Sequence, residues 1–407
     1  MVRPVGSVRT TAMATLRSVA SKSLRSSVRS GASPAERAPG PATAARAAVA
    51  VVLESPRRLV RRELPLPEVG DDDALMRVEA CGLCGTDHEQ FTGVLPSGLP
   101  FVPGHESVGV IEAIGERAAE RWRVAAGDRV AVEVFQSCRR CDECRSGEYR
   151  RCRLHGLGDM YGFVPVDKPP GLWGGYATHQ YLARDSMLLR VPPGLDPVTA
   201  TLFNPLGAGI RWGATVAGTT AGDVVAVLGP GVRGLSVLVA AREVGAGFVM
   251  MTGRGPSDHS RLEVARRFGA ELTVDVEEQD PVAALRHATG ALADVVVDVT
   301  AKAPAAFAQA VGLVRVGGTV VVAGTRGTAD TPGFRPDDVV YKEVRILGAL
   351  GVDTPAYEKA LELLAGGRYP FDDLPRRTAR LDDVAALLTD MSGEGSAAPP
   401  MHAVVVP

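Results

Sequence analysis

Residues 224–234 read VVAVLGPGVRG, five apolar residues running into Gly229-x-Gly231-x-x-Gly234, with a helix-forming stretch at 234–245 behind them. Glycines at these three places allow a tight turn, let the backbone approach a pyrophosphate and let helix pack against strand, while the helix N-terminus favours the anion. A second strand is due about ten residues on, and 248–252 (FVMMT) supplies it. Working outward, helix at 260–269 and buried-type strands at 294–299 and 319–323 continue the alternation. Such strands, apolar on both faces, predict a doubly wound parallel sheet between helix layers, an α/β unit spanning 196–340. The tip of the second strand, Thr252-Gly253-Arg254, has no acid for a ribose 2′-OH and an arginine suited to a 2′-phosphate, which favours NADP over NAD. The alternative is that Asp258 swings back to the ribose.

Upstream the texture is different. Strand patterns at 47–53, 74–80, 107–114 and 128–135 are separated by Gly-rich turns. They predict a mostly β unit over 47–195, with 341–407 returning to it through a helix at 356–364 and a final strand at 403–406. The arm 1–46 is rich in Arg and Ser with Glu36 as its one acid. It reads as disordered, either an organellar transit peptide or an over-extended start of translation. Lys and Arg total 45 against 47 Asp and Glu, a net charge of −2, so no global field would gather nucleic acid or anionic lipid. No apolar run reaches the roughly 18 residues that a membrane-spanning helix needs. A cytoplasmic protein is expected, or an organellar one if the arm is a transit peptide.

All six cysteines fall between 81 and 152. Cys138, Cys141, Cys144 and Cys152 form C-x2-C-x2-C-x7-C, four thiolates that would close a tetrahedral zinc and leave no open position, so this centre is read as structural. Arginines at 139, 140, 145, 150, 151 and 153 are expected to help hold those sulfurs deprotonated. Cys84, His105 and Glu106 offer one thiolate, one imidazole and one carboxylate, a set that suits a zinc with a vacant position. Asp87 is placed to take the other imidazole N–H, and Thr86 offers a hydroxyl beside the vacant position.

The stretches GLCGTD (82–87), GHESVGVIEAIG (104–115), the four-cysteine lobe, GGYATHQYL (174–182) and the glycine turn resemble, in order and spacing, the zinc-dependent medium-chain alcohol/polyol dehydrogenases. The resemblance runs from about Arg46 to the C-terminus. It implies a GroES-like catalytic domain and a Rossmann domain, two zinc ions per chain, and NAD or NADP. It further implies a small-molecule alcohol or carbonyl substrate and a homodimer or homotetramer. By motif, Cys84 and His105 match the catalytic zinc ligands, Glu106 the adjacent carboxylate and Thr86 the alcohol-binding hydroxyl. Two departures stand out. The family usually carries an acid before Pro-Leu or a cysteine three residues later, where this chain has Asn204 and Gly207; Asn204 is expected to hydrogen-bond a zinc-bound water. At the usual relay histidine stands Glu89, with His88 one residue early. Phe91, Trp173 and Trp212 are candidates for a substrate pocket or for core. The rival readings are a zinc-independent quinone or enone reductase, which would lack both metal sets, and a non-enzymatic nucleotide-sensing or nucleic-acid-binding protein.

Overall fold

Alternation in the first lobe pairs its strands antiparallel, whereas the doubly apolar strands of the second require helices on both faces. The computed structural model describes residues 46–95, 98–391, 393–395 and 399–407. The arm expected to be disordered lies outside them, except Arg46. The described residues form one compact unit.

The first lobe carries β1 (Ala47–Ser55), β2 (Arg58–Pro65), β3 (Ala74–Leu83), β4 (Glu106–Ile114), β5 (Arg129–Val132), β6 (His179–Leu182) and β7 (Leu188–Arg190). The second carries β8 (Val224–Leu228), β9 (Phe248–Gly253), β10 (Leu272–Asp275), β11 (Ala293–Asp298), β12 (Val314–Val322) and β13 (Arg345–Gly348). The chain then returns through β14 (Arg376–Ala379) and β15 (His402–Val405). β1 and β2 form a hairpin, and β15 pairs antiparallel with β3, so the C-terminal strand rejoins the first lobe as its apolar run predicts. The seven-stranded sheet runs β14-β15-β3-β4-β5-β7, with β6 also on β3. The parallel sheet runs β10-β9-β8-β11-β12-β13, a doubly wound order whose reversal falls between β8 and β11. Ligands of such sheets bind at the carboxyl ends of the strands beside that reversal, which puts the glycine turn at the binding crevice.

The boundary expected at 340/341 is corrected. β13 pairs in parallel with β12, Thr319 to Arg345 through Val322 to Gly348, so the parallel sheet runs on to Gly348. Exposed edge positions (Arg345, Ile346, Leu347, Gly348) hid this strand from an apolar pattern search. The lobes meet through the Phe203–Ile210 helix, which packs on the Val232–Glu243 helix behind the glycine turn and on the Thr354–Ala365 helix. Gly209 permits the first of these contacts: a Cβ there would collide with the Ser236 backbone.

Candidate active site

β3 ends at Leu83, and Cys84 is the N-cap of the Gly85–Thr92 helix. The Asp87 carboxylate reaches back to accept the Cys84 backbone N–H at 2.9 Å, fixing the thiol where strand becomes helix. His105 immediately precedes β4, and Glu106 opens it opposite Gly82 of β3. A Cβ on Gly82 would strike the Glu106 carboxylate, so the glycine makes the space in which that acid lies.

The ligand atoms of Cys84, His105 and Glu106 lie within 4.8 Å of one another, and all three residues are buried. Cys84 Sγ is 3.2 Å from His105 Nε2, while Nδ1 of the same ring faces Asp87 Oδ1 at 3.6 Å. Thr86 lies close enough to the Cys84 sulfur for its hydroxyl and backbone N–H to favour the thiolate. With no cation present, burial first and then the Asp87 charge push the Cys84 thiol up to about 11. Burial and then Cys84 push the Glu106 carboxyl up to about 8. Glu106 Oε1 and His105 Nδ1 are buried without a hydrogen-bond partner. Converging soft and hard donors, orphaned polar atoms and charges that burial opposes are relieved together by a divalent cation, so the residues present fit zinc.

Cys138, Cys141, Cys144 and Cys152 also gather within 4.8 Å of one another, and all are free thiols. The Cys138 thiol is held below its ordinary range by the backbone N–H of Arg140, whereas burial pushes Cys144 up to about 12. Of the flanking arginines, Arg139 acts by its charge on Cys144 and Arg153 on Cys141, while their hydrogen bonds and ion pairs run to other groups. Arg150 and Arg151 pair with Glu148, Arg153 with Asp142 and Glu143, and Arg139 with carbonyls of Ser137, Arg184 and Ser186. Backbone N–H groups, including that of Cys141 to Cys138 Sγ at 3.4 Å, also face the sulfurs.

The glycine turn follows β8 as expected. Gly229 adopts φ +103, and a Cβ on Gly234 would collide with the Gly229 carbonyl, so helix and strand approach too closely for any side chain. Gly231 is the N-cap of the Val232–Glu243 helix. At the tip of β9, Thr252 is buried, and Arg254 is exposed and paired with Glu277 at 2.9 Å. Gly253 leaves room that the Asp258 side chain fills: a Cβ on Gly253 would lie 2.9 Å from Asp258 Cβ. Asp258 Oδ2 accepts the Arg254 backbone N–H at 2.9 Å. The strand tip therefore has both an arginine and a carboxylate, the latter delivered by the following helix.

Asn204 is buried, and its amide donates to the Tyr357 hydroxyl at 3.1 Å. Gly207 is the seat of the same ring: a Cβ there would lie 2.6 Å from Tyr357 Cδ1. Tyr357, from the Thr354–Ala365 helix, thus takes the space in which the family's cysteine would stand and binds the residue in the place of its acid. His88 is buried, and its Nε2 meets Glu394 Oε1 at 3.3 Å. Burial and then the charge of Lys302 hold its imidazole below the ordinary range. Phe91 packs with β1 in one core cluster, and Trp173 is edge-to-face with Tyr181 in another, so both serve as core. Trp212 is buried but lies under the guanidinium of Arg233, 5.2 Å from its ring centroid. Arg233, Tyr357 and Tyr176, whose buried hydroxyl lies near Asp87, were missed by sequence reasoning. Nothing local distinguishes them, since each reaches the site from a distant stretch of chain.

A parallel dinucleotide-type sheet whose glycine turn abuts a thiol, an imidazole and a carboxylate defines a zinc- and nicotinamide-dependent oxidoreductase. Residues 70–193 match the family model of the alcohol dehydrogenase GroES-like domain, and residues 234–366 match that of the zinc-binding dehydrogenases. The chain is 67% identical over 359 residues to a Mycobacterium tuberculosis protein named "Probable alcohol dehydrogenase adh", covering 88% of this chain and 98% of that one. It is 31% identical to a sorbitol dehydrogenase of Bacillus subtilis, over 78% of this chain and 86% of the relative. Among solved structures, a zinc-binding dehydrogenase of Sinorhizobium meliloti bound to NADP superposes with TM-score 0.77 at 30% identity, covering 89% of this chain and all (100%) of that one. The chain belongs to the zinc-dependent medium-chain alcohol dehydrogenase family. Metal analysis should find two zinc ions per chain, and Cys84→Ala should remove about one while leaving the circular dichroism spectrum unchanged, because the two donor sets are separate.

Proposed function

We propose that Cys84, His105 and Glu106 hold the zinc at which a secondary alcohol or polyol is oxidised to a carbonyl, or a carbonyl reduced. The four-cysteine set would hold the second zinc. The observation that carries this reading is the convergence of the three donors beside the glycine turn, with Arg233 of that turn 3.9 Å from Glu106. Zinc, when bound, supplies Lewis-acid polarisation of the substrate oxygen, and the nicotinamide supplies the hydride acceptor or donor. Thr86, two residues after Cys84 and close to its sulfur, would hold the substrate hydroxyl and receive its proton. Asp87 is a positioning residue: it fixes the Cys84 backbone and orients the His105 ring. His88 would move the proton onward to Glu394, whose side chain is 40% exposed. Asn204, tied to Tyr357, contributes a neutral amide in place of a charged ligand. Turnover of alcohols and polyols followed by reduced-nicotinamide absorbance tests the assignment: Cys84→Ala and His105→Ala should abolish it, and Thr86→Ala should lower kcat at least a hundredfold. A zinc-independent reductase would be indifferent to the first two changes.

Two finer points rest on particular residues. Gly229, Gly231 and Gly234 would cradle the pyrophosphate, and Thr252, Gly253 and Arg254 the adenosine ribose, with Asp258 able to accept its 2′-OH. Because Arg254 is already paired and Asp258 fills the strand tip, the geometry supports NAD as much as NADP. Asp258→Ala should raise the KM for NAD about tenfold relative to that for NADP, measured with both cofactors on one substrate.

A homodimer would be built on the edge strand β13. Ile346, Leu347 and Leu350 are partly to largely exposed there, with Val340 70% and Tyr341 79% exposed beside them. An unpaired apolar edge is a template for a second copy. Sedimentation should give at least twice the chain mass, and Ile346→Lys with Tyr341→Asp should give the single-chain mass. Six free cysteines suit a reducing cytoplasm, and no helix among the described residues is long and apolar enough to cross a membrane.

A further inference from the structure

Arg233 is the residue before the third glycine of the turn, at the second position of the Val232–Glu243 helix. Its side chain leaves the cofactor lobe and ends beside the metal donors. One guanidinium nitrogen is 3.9 Å from Glu106 Oε1, and the group lies over the Trp212 ring at 5.2 Å. Cys84 also lies near enough for its charge to act on the guanidinium. Trp212 is itself held, its indole N–H donating to the Gly351 carbonyl at 2.9 Å. The guanidinium is therefore clamped between an aromatic face and a carboxylate, not free in solvent.

A hydride can pass only if the reacting atoms approach to about 3–3.5 Å. With the pyrophosphate on the glycine turn and the substrate oxygen at Cys84, His105 and Glu106, the nicotinamide has to lie in the interval that Arg233 spans. Its charge changes in the reaction: alcohol and NAD(P)+ give carbonyl, NAD(P)H and one proton, the ring taking two electrons and one hydrogen and going from cationic to neutral. Zinc offsets the charges of Cys84 and Glu106, so the guanidinium is left as a fixed positive charge toward that ring, with Asp87 as the remaining anion on the far side of His105.

We infer that Arg233 weakens binding of the oxidised, cationic cofactor relative to the reduced, neutral one, and so sets the on-enzyme equilibrium toward reduced cofactor and carbonyl, the side of alcohol oxidation. The inference rests on the site proposed above and adds a direction to it. It leaves the solution equilibrium untouched; only the partition between the two bound states moves. A preference of about tenfold, or about 1.4 kcal/mol, is expected from this one charge.

The test is equilibrium binding, without turnover. Dissociation constants of NAD(P)+ and NAD(P)H are measured by fluorescence titration on the zinc-loaded full chain, for the natural protein, Arg233→Gln and Arg233→Lys, with zinc content checked for each. The ratio of oxidised to reduced dissociation constants should fall about tenfold in Arg233→Gln and stay near its original value in Arg233→Lys, with two zinc ions in all three. An unchanged ratio in Arg233→Gln, or equal weakening of both forms, overturns the inference, as does loss of one zinc, which would assign Arg233 to holding Glu106. If the natural protein binds neither form, the proposed function itself fails, an outcome distinct from any of these.

Discussion

Everything in the site follows from placing a thiol, an imidazole and two carboxyls in one dry pocket. Burial raises the Cys84 and Glu106 protonation constants, leaves His105 Nδ1 and Glu106 Oε1 without partners, and sets acids against one another. Such a cluster costs several kcal/mol per uncompensated charge unless a cation joins it. Zinc, held as proposed, would answer this directly, and Arg233 brings a further positive charge from the other lobe.

That requirement explains why the local backbone is so constrained. Antiparallel pairing of β3 and β4 sets Gly82 against Glu106, and the cap at Cys84 locks the helix start through Asp87. Neither element could slip by one residue without turning a donor to the opposite face. The constraint continues across the lobes, because the Phe203–Ile210 helix carries Asn204 and Gly207 toward the pocket while its other face packs on the helix of the glycine turn.

Asn204 and Gly207 show how a departure from a family pattern can be complete in itself. Read alone, a neutral amide and a missing side chain look like a lost ligand. In three dimensions Tyr357 seats on Gly207 and takes the Asn204 amide, so one aromatic ring satisfies both changes. The Asp258 side chain does the same at the cofactor end, occupying the volume that Gly253 leaves open.

The β-rich lobe, the parallel sheet, the four-cysteine set, the glycine turn and the Cys84, His105 and Glu106 set were all legible in the residues alone. These are written in short-range signals: alternation, doubly apolar strands, metal-ligand spacing and glycines at fixed intervals. That β13 completes the parallel sheet, that Phe91 and Trp173 are core, that Arg139, Arg150, Arg151 and Arg153 pair with acids and carbonyls, and that Arg233 and Tyr357 reach the site emerges only from the folded chain. Those facts depend on packing between segments distant in the chain, Asn204 and Tyr357 being 153 residues apart, and long-range packing is fixed by which surfaces fit together, a property no local pattern encodes.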